Sequence, residues 1–255
     1  MVQVSIIVTG IGLRRLPLRE DFSQDLDGLA ALADDSTRLV FVTAPDNPSG
    51  YCPPRREVAR LAARLAETAP QALLVVDEAY MDFAEDEGAS SLLSAGPLPD
   101  NVAVLRTFSK SWGLAGLRLG YGILPAAIAD GFWRARLPFS VSVLAEEAAL
   151  AALGDQAFRT ATLETVRKGR RTLAEGLRRL GCRVWPSEAN FLMFRLPEGQ
   201  DARACFEGLL RRGIIIRPLT GYGLPDHLRV SVGTDEENAA FLRALEEELA
   251  TGGRP

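Results

Sequence analysis

Three short runs of the chain are apolar without interruption: Arg38 to Thr43 (RLVFVT), Gln71 to Val76 (QALLVV) and Val102 to Arg106 (VAVLR). A strand with one face in water alternates apolar and polar residues; these do not, so both faces of each are expected to be covered. Between the first two runs, Pro53-Pro54 opens a helix whose Val58, Leu61, Ala62 and Leu65 recur at helical spacing, the pattern that packs on a sheet. Leu119 to Leu124 reads as one more strand. The fold class is therefore α/β, a mostly parallel sheet sandwiched by helices. Ligands of such sheets gather at the carboxyl ends of the strands. Here those ends carry Asn47 after the first run, Asp77 and Tyr80 after the second, and Ser109 and Lys110 after the third.

The flanking segments follow the same rules. Val4 to Val8 and Leu13 to Leu18 read as short strands, and a helix is expected near Asp25 to Leu32. Ala44 to Gly50 (APDNPSG) must be a turn, because two prolines and a glycine forbid a helix. Beyond Leu124 the pattern changes. Val141 to Leu153 reads as an alanine-rich helix, and Gln156 to Leu180 as a long one with Leu163, Val166, Leu173, Leu177 and Leu180 along one side, capped by Gly181. A strand at Asn190 to Leu196, a helix at Ala202 to Arg212, strands at Ile214 to Arg217 and Leu228 to Val232, and a last helix opened by a Thr234–Glu237 capping box complete the chain. This half resembles a smaller α+β domain, so the expected division is 1–153 for the large domain and 154–255 for the small one.

Lysine usage singles out one residue. Of the 29 basic residues only Lys110 and Lys168 are lysines. Arginine supplies a permanent charge, but only an amine can lose its proton and condense with a carbonyl. A lysine kept at a strand end is thus a Schiff-base candidate; Lys168, in a charged helical run, reads as a surface cation. The bland readings of the other polar groups are turn or cap for Asn47 and Asp77, core aromatic for Tyr80, turn hydroxyls for Thr107 and Ser109, and ion pairing for Arg118 among its glycines. Exposed strand arginines would account for Arg217 and Arg229, and His227 reads as a surface residue near a turn.

The remaining composition excludes other classes. A net charge of −4 with both signs interspersed argues against nucleic acid or a membrane surface as partner. No apolar run is long enough to span a bilayer, and the opening residues lack the basic start and cleavage site of a signal peptide, so the cytoplasm is the expected compartment. Cys52, Cys182 and Cys205 are scattered and joined by a single histidine, so free thiols and no metal site are expected.

Five stretches carry a family resemblance: APDNPSG at 44–50, DEAY at 77–80, RTFSKSWGLAGLRLGYG at 106–122, SEANFLM at 187–193 and GIIIRPLTGYGLPDHLRVSVG at 213–233. In this order the chain resembles the pyridoxal-phosphate-dependent transferases of fold type I, and among them the histidinol-phosphate aminotransferases. The resemblance implies that Lys110 forms the internal aldimine and shuttles the substrate proton, that Asp77 pairs with the ring nitrogen, and that Asn47 and Tyr80 bind the ring hydroxyl. It assigns Thr107, Ser109 and Arg118 to the cofactor phosphate, and Arg217, Arg229 and Asn190 to the substrate. It further implies a cytoplasmic homodimer of histidine biosynthesis that moves an amino group, by ping-pong transfer, from histidinol phosphate to 2-oxoglutarate. A threonine-phosphate decarboxylase-like or aromatic aminotransferase, or an inactive fragment keeping the fold, are the alternatives. The turn opens Ala44-Pro45 where the family usually has Asn-Pro. Nothing in the chain matches the family's N-terminal arm, its glycine loop for the phosphate or its ring-stacking aromatic, so an N-terminally incomplete large domain with a weaker hold on the cofactor is expected.

Overall fold

The computed structural model describes residues 11–250, and the strand expected over Val4 to Val8 lies outside them. The three apolar runs form β1 (Leu39–Thr43), β2 (Leu73–Asp77) and β3 (Val102–Thr107), and β4 (Gly120–Ile123) follows. They pair in the order β1-β2-β3-β4. The first two pairings are parallel and the last is antiparallel. Helix α1 (Leu26–Leu32) starts where expected, with the Asp25 side chain accepting from the Gly28 N–H. Helix α2 (Arg55–Thr68) begins behind Pro54. It buries the four residues its spacing picked out, against Val40, Val42, Leu74, Val76, Val102 and Val104 of the sheet.

One expectation fails here. Residues 13–18 form no strand and lie mostly exposed, and no strand pairs with them among the described residues. One face of the sheet is the more fully covered: α1, α2 and the short helix α3 (Glu87–Ser90) with its flanking turns lie to that side. On the other face Val75 and Ala103 are buried, while Leu39 is 51% exposed, Phe41 39% and Leu105 36%. By strand alternation this barer face also carries Asp77 and Thr107.

Helix α4 (Ala126–Ala135), unforeseen in the sequence, has no buried residue, and α5 (Val143–Gly154) buries only Ala145 and Ala149. The long α6 (Gln156–Arg179) ends at Gly181, whose φ of 79° is the left-handed conformation a helix stop asks of glycine. Beyond it β5 (Arg183–Val184), β6 (Phe191–Arg195), β7 (Arg217–Pro218) and β8 (His227–Ser231) make a second sheet in the order β5-β6-β8-β7, all pairs antiparallel. Leu173 and Leu177 of α6 join Phe194, Leu228, Leu209 of α7 (Ala202–Arg211) and Leu245 of α8 (Asp235–Ala250) in its core. The capping box is present: Thr234 N donates to Glu237 at 2.8 Å and Glu237 N to the Thr234 hydroxyl at 3.2 Å. The strand expected over Ile214 to Arg217 shrinks to Arg217–Pro218; Ile215 is 81% exposed, and Pro218 has no N–H to extend an edge ladder.

One buried cation fastens the two sheets. Arg170 of α6 donates to the carbonyls of Phe83 and Ala189, each at 3.1 Å, and to Glu85 at 2.8 Å. His227, expected at the surface, is half-buried between Phe22 and Trp185, with ring centroids 5.4 and 5.0 Å away. Burial and then the Arg195 charge hold its pKa below the ordinary 6.5.

Replacing Arg170 by alanine strands two carbonyls and a carboxylate, and is expected to lower unfolding free energy in urea by about 2–4 kcal/mol. Arg171→Ala, whose partner contact is exposed, should stay within about 0.5 kcal/mol. The depressed His227 pKa has a definite sign. The unfolded chain takes up a proton near 6.5 while the folded chain resists, so this contribution to stability is present above 6.5 and lost as pH falls through the folded value. Asp46, Asp77 and Glu78, with raised pKa values, act in the opposite sense. The urea midpoint should therefore fall less for His227→Phe than for the parent between about pH 7.5 and about pH 5.5.

Candidate functional site

Register brings the polar strand ends level. Thr43 pairs with Asp77, and Asp77 with Leu105, so the turns after β1, β2 and β3 open side by side. The first turn is built by Asp46, which accepts from the Ser49 N–H at 3.1 Å and the Ser49 hydroxyl at 2.6 Å. Burial still pushes the Asp46 pKa up. The turn closes at Gly50, with φ of 79°; a Cβ there would sit 2.2 Å from the Ser187 hydroxyl oxygen, and the Gly50 carbonyl accepts from the Glu188 N–H at 2.9 Å. That close approach seats the turn against the second sheet.

Asn47 is presented from this turn. Its amide donates to the Tyr80 hydroxyl at 3.4 Å, and its carbonyl oxygen accepts from Arg229 of β8. The Arg229 guanidinium lies 4.7 Å from the centre of the Phe191 ring. Its Nε is buried with no hydrogen-bond partner among the described residues, so the group has a donor to spare. Asp77 accepts from the Ala79 N–H at 3.0 Å. Burial raises its pKa, while that hydrogen bond and the Lys110 charge pull it back. The Lys110 amine stands 4.8 Å over the Tyr80 ring. The Thr107 hydroxyl accepts from the Ser109 N–H at 3.0 Å, which turns the chain sharply before the lysine. Lys168, by contrast, is exposed on α6 and paired with Asp235.

The structure thus gathers Asn47, Asp77, Tyr80, Lys110 and Arg229, with Thr107 and Ser109 in the adjoining turn. Three other candidates stand apart in their contacts. Arg118 is exposed in a left-handed conformation, φ 56°, with its guanidinium on the Ala115 carbonyl at 2.7 Å, so its own turn holds it. Arg217 is exposed opposite Arg229 in the ladder. Asn190 meets β8 through its backbone, its carbonyl accepting from Val232 N at 2.9 Å. Sequence reasoning passed over Glu78, Asp82 and Ser111, which lie behind the strand ends in contact with Arg106 or with one another. The available signal was Arg106 itself, a charge at the end of an apolar run.

Chemically, the cluster offers an amine, a half-buried carboxylate with no ion pair among the described residues, two neutral hydrogen-bonding groups and a guanidinium. The sequence matches the family Aminotransferase class I and II over residues 1–245. The chain belongs to that aminotransferase family. Among similar proteins, the histidinol-phosphate aminotransferase of Nitratidesulfovibrio vulgaris is 58% identical over 240 residues, covering 94% of this chain and 63% of its own length. That of Oleidesulfovibrio alaskensis is 54% identical over 251 residues, covering 98% and 65%. A solved histidinol-phosphate aminotransferase from Sinorhizobium meliloti, in complex with pyridoxal-5'-phosphate, superposes with a TM-score of 0.88 at 31% identity, over 98% of this chain and 67% of that one. The chain therefore spans less than two thirds of the length of these first two aminotransferases.

The raised Asp77 pKa means that the ionised carboxylate is held at a cost in the ligand-free protein. Asp77→Asn, which keeps the acceptor for Ala79 N, is expected to raise stability near pH 7 by about 1 kcal/mol in urea melts, at the expense of ligand binding. A loss of stability would show that the Lys110 charge already outweighs burial.

Proposed function

We propose that this chain is a pyridoxal-phosphate-dependent aminotransferase that takes an amino group from histidinol phosphate and hands it to 2-oxoglutarate, in the cytoplasm and as a homodimer. The observation that carries the reading is the Lys110 amine standing over the Tyr80 ring, with Asp77 close enough to feel its charge, at the ends of adjacent parallel strands. The printed names of the aminotransferases at 58% and 54% identity support the substrate.

The residues present fit the cofactor. Asp77 is a half-buried carboxylate that a protonated ring nitrogen would neutralise, and the Arg229 Nε, without a hydrogen-bond partner among the described residues, is a donor that an incoming anion would satisfy. When bound, the cofactor supplies an aldehyde to hold the amino group and a ring to accept electrons. Asp77 keeps the ring nitrogen protonated. Asn47 and Tyr80, already joined by a hydrogen bond, hold the ring hydroxyl. Thr107 and Ser109 offer hydroxyls to the cofactor phosphate, and Arg118 joins them by leaving the Ala115 carbonyl. Lys110 would hold the aldehyde, and its Nζ, as a free amine, would be the base that takes the proton from the donor Cα. Arg217 and Arg229, paired in the second sheet, present positive charge to the substrate phosphate and to the substrate carboxylate respectively, and Asn190 precedes β6. In this division residues 1–153 hold the cofactor and 154–255 the substrate.

Incubation with pyridoxal phosphate followed by borohydride and peptide mapping should place the label on Lys110 and leave Lys168 unmodified. Lys110→Ala should abolish both labelling and amino transfer from histidinol phosphate, and Lys168→Ala neither. Equal labelling of the two lysines, or no label in a folded chain, would overturn the reading; carbon dioxide release in place of transfer would move it to a decarboxylase.

A further inference from the structure

We propose that Glu78, Asp82, Arg106 and Ser111 form a positioning network that sets the reactive groups of the site from behind the sheet. Resting on the function proposed above, it starts from a regularity of placement. Glu78 follows Asp77, Arg106 precedes Thr107, Ser111 follows Lys110, and Asp82 lies just past Tyr80. Asp77, Tyr80, Thr107 and Lys110 therefore each have a near neighbour in the chain that belongs to one connected cluster. On β3, Val102 and Val104 face the helix-covered core, and Arg106, two residues on, points the same way while Thr107 points to the other face.

The cluster is tightly connected. The Arg106 Nε donates to Glu78 at 2.8 Å, its Nη1 to Asp82 at 3.1 Å, and its Nη2 to Glu87 at 2.9 Å and Ser91 at 3.1 Å. The Ser111 hydroxyl donates to the other oxygen of Asp82, and Arg159 of α6 reaches Asp82 at 3.3 Å. Glu78 also accepts from the Ser91 hydroxyl at 2.8 Å and from Leu92 N at 3.2 Å. Glu78 is 1% exposed and Ser111 0%. Asp82 is the hub: it joins the segment after β2 to the Lys110 turn and to the helix leading into the second sheet.

Stability alone is a poor reason for such a cluster. Desolvating these charges costs about as much as their attraction returns, and apolar side chains of the same volume would serve as well. What charged, directional contacts add is geometry. Reactive groups must be held within roughly 0.5 Å of their working positions; Asp77 is the last paired residue of β2, and Tyr80 and Lys110 stand beyond the ends of their strands. The hydrogen bond from Ser111 to Asp82 holds the turn that carries Lys110, and Arg106 holds Glu78 and Asp82 together behind Asp77 and Tyr80.

The test compares Ser111→Ala and Asp82→Asn with Arg170→Ala, a destabilising change outside the network, in the full chain at a temperature where circular dichroism shows all of them folded. Amide exchange of peptides covering 107–114 is followed in ligand-free protein, together with the affinity for pyridoxal phosphate and the circular dichroism of the bound chromophore. Ser111→Ala and Asp82→Asn should speed exchange at 107–114 about tenfold or more. They should also weaken pyridoxal phosphate binding about tenfold and diminish its induced dichroism, while Arg170→Ala leaves all three readings within about twofold of the parent. Equal effects from Arg170→Ala, unchanged exchange in both network variants, or faster exchange with unaltered binding and dichroism would each overturn the network. If the parent chain takes up no pyridoxal phosphate the proposed function fails, and the exchange arm still decides whether the cluster holds the Lys110 turn.

Discussion

Parallel, in-register pairing of β1, β2 and β3 is the constraint on which the rest depends. Thr43, Asp77 and Leu105 lie level across the three strands, so the turns that follow must open beside one another. Only that alignment brings an asparagine, an aspartate, a tyrosine and a lysine, up to 63 positions apart in the chain (47 to 110), into one neighbourhood. The pairing is held from one side by α2 and the apolar residues under it, and that packing is what fixes the directions of the strand ends.

The two faces of this sheet carry different work. The covered face combines an apolar core with the ion cluster around Arg106 at its upper end. The barer face carries Asp77 and Thr107 together with exposed Leu39, Phe41 and Leu105. Parallel sheets are ordinarily buried on both sides, and apolar exposure of this kind, with α4 burying no residue, marks a surface on which further packing is favourable. The matched aminotransferases are longer than this chain, which covers 63% and 65% of them.

The second sheet contributes through a few long contacts. Arg170 links α6 to the segment after β2, and Gly50 lets the Asn47 turn press against Ser187 and Glu188. Arg229 then reaches Asn47, so the guanidinium assigned to substrate and the amide assigned to the cofactor ring touch before either ligand is present.

The chain itself determined the elements and the chemistry of the strand ends. Uninterrupted apolar runs, helical spacing at Val58, Leu61, Ala62 and Leu65, the helix stop at Gly181 and the helix start at Thr234 are local rules, and each held to within a residue or two. Of two lysines among many arginines, the one at a strand end pointed to Lys110, because amine chemistry cannot be spelled with a guanidinium. Tertiary structure alone decided what faces what. Residues 13–18 form no strand, none pairing with them among the described residues, and His227 moved from surface to aromatic cluster because Phe22 and Trp185 fold over it. Arg118 was claimed by its own turn, and Arg106 became the centre of a buried cluster. Hydrophobic period reports how a segment can be buried, but pairing between charges distant in sequence depends on register and on which face the chain turns toward, and those are set only when the strands meet.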